Sequence, residues 1–343
     1  MLANSEIQEI KQLLTQGKKI VITSHTNPDG DAIGSSLAMY HYLKKLGNDV
    51  NMMVPNNFPD YYNWLPDSDK IVIYEKQSKY SQKLLKEAEI VFALDYNAIN
   101  RLGALAEIVK TTTCTRILID HHIDPERESF KHCFSTTETS STGELVYEFI
   151  RALDNEDLID KKMGEAIYTG IVTDTGSFSF SCNRPETYDI TSKLVSIGVD
   201  AQKIHKLIYD TFSENRLRLL GFAISSRMIV WNEYHAALIY LTKADLSKFN
   251  YQVGDTEGLV NYPLSMSDVN MSVLITEKDN QLRLSFRSKG SFSVNEFCRK
   301  HFNGGGHRNA AGGKTTESIE ELITRLKELL EDYKEELNYT LSL

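Results

Sequence analysis

The sequence predicts an α/β protein, with an N-terminal doubly wound parallel sheet followed by a smaller α+β domain. Three observations carry that prediction. From Lys18 to about Leu194, short apolar runs alternate with helix-like stretches, the pattern of βαβ units. From about residue 216 the texture changes to paired strand-like runs of the kind that make hairpins. The length, 343 residues, suits two domains better than one. The expected bounds are 1–190 for the first domain, 191–215 for a helical linker and 216–343 for the second.

The elements follow in order. MLANSEIQEIKQLL has the spacing of an amphipathic helix and lacks the charged-then-apolar order of a signal peptide. KKIVITSH, NDVNMMVP, DKIVIYE, EIVFALDY and TRILIDHH each read as a strand that ends in polar residues. After the first of them, Gly30 and Gly34 are expected to ease a turn. Ser35 or Ser36 then caps the helix SSLAMYHYLKKL, and Gly47 closes it. Ser141-Thr-Gly-Glu144 fits a capping box that opens ELVYEFIRAL. KKMGEAIYTGIVTDTGSF reads as a helix running through Asp174. In the second domain, RMIVWNEYHAALIYLT and NMSVLITEKDNQLRLSFRS read as hairpins, the latter turning at Glu-Lys-Asp-Asn. SIEELITRLKELLEDYKEEL is an amphipathic helix.

Composition excludes several classes. With 41% hydrophobic and 25% charged residues the chain has the make-up of a soluble globular protein. No apolar run approaches a membrane span, so no membrane partner is expected. Cys114, Cys133, Cys182 and Cys298 have no metal-ligand spacing and read as reduced thiols of a cytoplasmic protein. The formal net charge is −9 with no dense Lys/Arg run, which argues against a long duplex nucleic acid as partner. A small phosphorylated substrate stays open, because bound cations invert the local field.

In an open parallel sheet, ligands collect beyond the carboxyl ends of the strands. The residues at those ends are His25, Asp29 and Asp31, then Asp95, then Asp120, His121 and His122, with Asp174 on the later helix. Singly, each could be a cap or turn former. Together, carboxylates brought this close repel unless protons, basic side chains or metal compensate them. Lys and Arg are scarce nearby, which leaves metal as the simplest compensation. Oxygen and imidazole donors without thiolate suit Mn²⁺ or Mg²⁺, with Fe²⁺ or Co²⁺ as further candidates. So many donors suit two ions, roughly 3.5–4 Å apart, as in enzymes that cleave phosphate esters.

HTNPDGDAIGSS, Asp95 after its strand, Asp120-His121-His122 and Asp174 in IVTDTGSF resemble, in this order, the four motifs of the DHH phosphoesterase superfamily. GGGHRNAAGG, 304–313, resembles the glycine-rich signature of the DHH-associated domain. Overall size and TEGLVNYP, 256–263, are similar to the subgroup of oligoribonucleases (nanoRNases) that also dephosphorylate 3′-phosphoadenosine 5′-phosphate, pAp. The resemblance covers most of the chain. It implies that His25 and Asp29 bind one metal and Asp31 the other. It further implies that Asp95 bridges the ions, that His121 and Asp174 complete the second site, and that Asp120 and His122 stand behind the ligands or toward substrate. It places the active site in a cleft between the domains.

The second domain offers its own candidates. QLRLSFRSKG alternates Arg283, Ser285 and Arg287 on one strand face with Leu282, Leu284 and Phe286 on the other, and two arginines with a hydroxyl can clamp a phosphate. Gly304, Gly305 and Gly306 would let backbone N–H groups approach an anion, helped by the positive end of a following helix. His307 would contact phosphate or donate a proton. Arg101 is a candidate brace for the Asp95 loop. His41, His132, His205, His235 and His301 match no motif.

The expected activity is two-metal hydrolysis of short RNA or dinucleotides to mononucleotides, and of pAp to AMP. Alternatives are a cyclic or linear dinucleotide phosphodiesterase, a manganese pyrophosphatase, a single-strand exonuclease, or a nucleotide sensor without turnover. Oligomeric state is open, a homodimer included.

Overall fold

The computed structural model describes residues 4–15, 17–278 and 280–338, and it divides after Thr211 into two compact units. The first contains α1 (Asn4–Leu13), β1 (Lys19–Thr23), α2 (Gly30–Lys45), β2 (Asp49–Val54), β3 (Val72–Ile73), α3 (Ser78–Glu87), β4 (Ile90–Leu94), α4 (Ala106–Thr111), β5 (Thr115–Asp120), β6 (His132–Ser135), α5 (Thr142–Ala152), α6 (Lys161–Asp174), α7 (Pro185–Ser196) and α8 (Ala201–Tyr209).

All six strands are parallel, in the order β3-β2-β1-β4-β5-β6. The order reverses between β1 and β4, which is where such a sheet opens its crevice. The alternation of side chains splits the strands between two cores. Ile20, Ile22, Ile90, Phe92, Leu94, Ile117 and Ile119 pack on one face with α2, α5 and α6. Val21, Val91, Ala93 and Leu118 pack on the other, against α4 and the turns before it. β4 is buried along its whole length, which accounts for its unbroken apolar run. β6 extends the sheet beyond the strands read from the sequence.

The turn after β1 differs from expectation. α2 starts at Gly30, and its cap is Asp29, whose Oδ1 accepts from the N–H groups of Asp31 (3.1 Å) and Ala32 (3.0 Å). Ser35 and Ser36 therefore lie buried inside the helix rather than at its start. Gly30 and Gly34 serve close packing instead of turning. A Cβ on Gly34 would stand 2.4 Å from the carbonyl oxygen of Ala166, so α2 and α6 touch backbone to backbone. Gly47 does close α2, with φ +82° just past its end.

The stretch 191–215 is largely helical, and it packs: Leu194, Ile204 and Ile208 join the first unit's core. The four cysteines are free thiols.

The second unit contains α9 (Glu214–Ser226), β7 (Met228–Trp231), β8 (Ala236–Leu241), α10 (Lys243–Lys248), β9 (Met271–Lys278), β10 (Gln281–Ser288), α11 (Val294–Phe302), β11 (Gly305–His307), β12 (Ala310–Thr315), α12 (Ile319–Asp332) and α13 (Lys334–Leu337). Its sheet runs β11-β12-β10-β9-β8-β7, antiparallel except for β8 beside β9. β7–β8 and β9–β10 are the expected hairpins; of the second turn, Asp279 lies outside the described residues. α12 carries a full capping box from Ser318 and Glu321.

The glycine-rich segment, too, differs from expectation. It forms the hairpin β11–β12, packed on the preceding helix α11, and the helix that follows, α12, starts only at Ile319, beyond the end of β12. The N–H of Gly304 donates to the Cys298 carbonyl (3.2 Å) and that of Gly306 to Asn295 Oδ1 (2.9 Å), so neither is left to cradle an anion. The glycines are needed for tight strand contact: a Cβ on Gly304 would meet the Gly312 carbonyl oxygen at 2.0 Å.

Candidate active site

β1 and β4 end side by side at the switch point, and β5 ends next to β4. Their following residues therefore converge. His25 and Asp29 stand after β1, Asp31 on the first turn of α2, Asp95 after β4, and Asp120, His121 and His122 at the end of β5. Asp174, on the last turn of α6, completes the group. Asp95 holds a left-handed backbone (φ +63°) while its N–H still donates to Ile119 across the sheet. An aspartate tolerates that conformation better than a branched residue.

The geometry divides at Asp95. Its Oδ2 faces His25 Nε2 at 3.3 Å, and His25 Nε2 lies 3.9 Å from Asp29 Oδ1. Its Oδ1 faces the other way, 3.7 Å from His121 Nε2, which is 3.8 Å from Asp31 Oδ2 and 3.1 Å from Asp174 Oδ2. Ligand atoms of His25, Asp29 and Asp95 fall within 4.8 Å of one another, and so do those of Asp31, Asp95 and His121. His122 is turned differently. Its Nδ1 sits 2.7 Å from Asp120 Oδ1, and its N–H donates to Asp120 Oδ2.

The cluster is buried, and its acid–base balance shows the crowding. Removal from water, reinforced by the charge of Asp95, lifts Asp31 well above the carboxylate range. Burial pushes Asp120 up to about 7. Asp95 goes the other way: burial opposes its charge, but the hydrogen bond and charge of His25, together with His121, hold it low. His121 is raised against its own burial, chiefly by Asp174 and Asp31. Carboxylates outnumber the imidazoles able to balance them. Oxygen and imidazole donors in two adjoining sets, with surplus negative charge, fit divalent cations.

What seats these ligands was not legible from spacing. Asp31 Oδ2 accepts from the N–H of Thr142 (2.6 Å) and Oδ1 from that of Gly143 (2.7 Å), so its carboxylate rests on the N-terminus of α5. Thr142 Oγ1 donates to Asp95 Oδ1 at 3.0 Å. The capping box expected here is half formed. Ser141 Oγ accepts from Glu144, but the Glu144 carboxylate accepts from Ser140 and Thr187 and pairs with Arg184 (2.6 Å). Arg101 braces the site through its backbone, its carbonyl accepting from Thr26 (2.9 Å). Thr142→Val, which keeps the volume and loses the hydroxyl, is expected to weaken divalent-cation binding about tenfold in calorimetric titration, while Thr142→Ser retains it.

On the second unit, β10 alternates as expected: Leu282, Leu284 and Phe286 are buried, with Arg283, Ser285 and Arg287 on the opposite face. On β12, Gly312 and Ala310 pair with Ser285 and Arg287, so small residues flank them on that side, while on β9 their partners are Leu274 and Ser272.

A doubly wound sheet that gathers acidic and imidazole donors at its switch point has the donor set for divalent cations and for hydrolysis assisted by them. Comparison with known proteins agrees. The model of the DHH family, N-terminal domain, matches residues 19–171, and that of the DHHA1 domain matches 235–336. The chain belongs to the DHH family. A solved structure, an exopolyphosphatase-related protein from Bacteroides fragilis, is 42% identical, covers 98% of both chains and superposes with a TM-score of 0.92. Proteins named bifunctional oligoribonuclease and PAP phosphatase NrnA are similar at 29% in Thermus thermophilus, over 93% of this chain and 90% of that one. In Bacillus subtilis the figure is 25%, over 92% and 96%. Among the described residues no helix is long and apolar enough to cross a membrane.

Proposed function

We propose that the protein hydrolyses short oligoribonucleotides or dinucleotides to mononucleotides and removes the 3′-phosphate of pAp, using two Mn²⁺ ions. The observation that carries this reading is the Asp95 carboxylate, whose two oxygens face two different donor sets. His25, Asp29 and Asp95 would hold one ion, and Asp31, Asp95, His121 and Asp174 the other. Once bound, the ions supply an activated water and positive charge for attack at phosphorus. The chain's own groups do the rest. Asp31 and Asp95 stay oriented because the first turn of α5 holds them. Asp120 accepts the Nδ1 proton of His122 and leaves Nε2 as the basic atom, which takes a proton from water and passes it to the departing oxygen. Arg283, Ser285 and Arg287 hold substrate phosphate. Gly304, Gly305 and Gly306 form the hairpin that carries His307 to the substrate without side chains of their own in the way.

The net charge of −9 supports short substrates over long strands. The test is turnover with Mn²⁺ across a dinucleotide, pAp, a cyclic dinucleotide, pyrophosphate, short polyphosphate and a long single strand. Pyrophosphate and polyphosphate belong in the panel because of the pyrophosphatase alternative and the name of the Bacteroides relative. The dinucleotide and pAp are expected to lead. Faster release from pyrophosphate or polyphosphate, or no release from any phosphoester, would overturn the reading.

A further inference from the structure

Asp174 ends α6, and the ten residues after it, 175–184, form a loop of unusual backbone. Gly176, Ser177, Phe178 and Ser181 all have positive φ, between +46° and +63°. Side-chain-bearing residues rarely take this conformation, and strain of this kind persists where the surroundings fix it. They fix it here. Thr175, fully buried, donates through Oγ1 to Ile171 (2.6 Å) and accepts there from the N–H of Phe178 (3.0 Å). Its carbonyl accepts from the N–H groups of Ser179 (2.7 Å) and Phe180 (2.9 Å). At the far end, Arg184 donates to both Glu144 and Glu148 at 2.6 Å, which ties the loop to the helix that seats Asp31 and Asp95.

This rigid loop presents an aromatic ring to solvent. Phe178 turns inward and stacks with Tyr188 (5.7 Å, 28°), but Phe180 is 53% exposed. The Phe180 ring lies over Gly176: a Cβ there would stand 2.7 Å from Cε2. The ring is thereby held two residues from Asp174, and glycine at 176 makes the close approach possible. A strained, hydrogen-bonded loop that displays a large apolar face directly after Asp174 in the chain suits a flat apolar partner joined to a phosphate.

We propose that Phe180 is the ledge on which a nucleobase of the substrate stacks, so that this loop selects nucleotide over base-free phosphate compounds. The inference rests on the phosphoesterase reading above and names the substrate part that its first unit recognises. Stacking on an aromatic side chain is sequence-tolerant, as a processor of mixed short RNA requires.

The test is steady-state kinetics on an adenine dinucleotide with Mn²⁺, for wild type, Phe180→Ala, Phe180→Leu and Phe180→Tyr, with Mn²⁺ affinity and Tm measured beside them. Phe180→Ala is expected to raise KM about tenfold or more, with kcat within about twofold and Mn²⁺ affinity unchanged. Phe180→Tyr should stay near wild type, and Phe180→Leu should resemble alanine, since it is apolar without a π face. An unchanged KM, or a fall in kcat that tracks weaker Mn²⁺ binding, would overturn the proposal; the latter would mean that the ring only positions Asp174. A wild type without dinucleotide turnover would instead strike at the phosphoesterase reading itself.

Discussion

Asp95→Asn is expected to lower kcat for dinucleotide hydrolysis by about a thousandfold or more, on the order of 4 kcal/mol of transition-state stabilisation. Asparagine is the informative replacement. It accepts the left-handed backbone at this position, keeps an oxygen for the Thr142 hydroxyl, and removes the charge while exchanging the oxygen that faces His25 for an NH2 group. A fold defect is therefore not expected, and Tm should stay within a few degrees. Mn²⁺ stoichiometry should fall from two per chain to one or fewer. Kinetics and calorimetric titration on the same preparation check both parts. A variant that retains two ions and loses little rate would show that Asp95 is not the shared ligand.

The second large effect concerns removal of the cations. Chelation is expected to abolish turnover, and Mn²⁺ to restore it. It should also expose a pH dependence of stability that the loaded protein lacks. Without ions, Asp31 and Asp120 have folded pKa values raised above the unfolded value of about 3.9, Asp120 to about 7. A group raised in this way contributes its stability below the unfolded pKa and loses it as pH rises through the folded one. The raised His121 works in the same direction, while the lowered Asp95 acts only below the unfolded carboxylate pKa of about 3.9 and so leaves this window unchanged. The chelated protein should therefore melt lower at pH 7.5 than at pH 5, whereas Mn²⁺ should raise Tm most at the higher pH. Thermal melts at both pH values, with and without Mn²⁺, measure this. A chelated protein that is equally stable at pH 5 and pH 7.5 would mean that the carboxylates are balanced in some other way.

Much of the fold could be read because apolar strand runs end abruptly in Asp and His. β1, β4 and β5 each announce both themselves and the side chains they deliver. The sequence pattern of Arg283, Ser285 and Arg287 was equally plain, since strand alternation is a local property. What escaped was set by distant backbone. Thr142 and Gly143 hold Asp31 from more than a hundred residues away, through N–H groups that any residue type supplies. Gly30 and Gly34 look like turn formers until α6 is placed against them. The run 304–306 looks like an anion cradle until the N–H groups of Gly304 and Gly306 are seen to be used within the second unit. Glycine has two uses, left-handed turning and close approach, and a local pattern does not separate them. β6 was missed for a related reason. His132 and Ser135 break its apolar run, and its place is fixed by β5.

The most direct measurement of the central claim is the rate of dinucleotide hydrolysis as Mn²⁺ is added back to chelated protein in known equivalents. A shared Asp95 carboxylate predicts little turnover at one bound equivalent and full rate at two, with Asp95→Asn inactive throughout. Full rate at a single equivalent, or turnover in the chelated protein, would contradict the account.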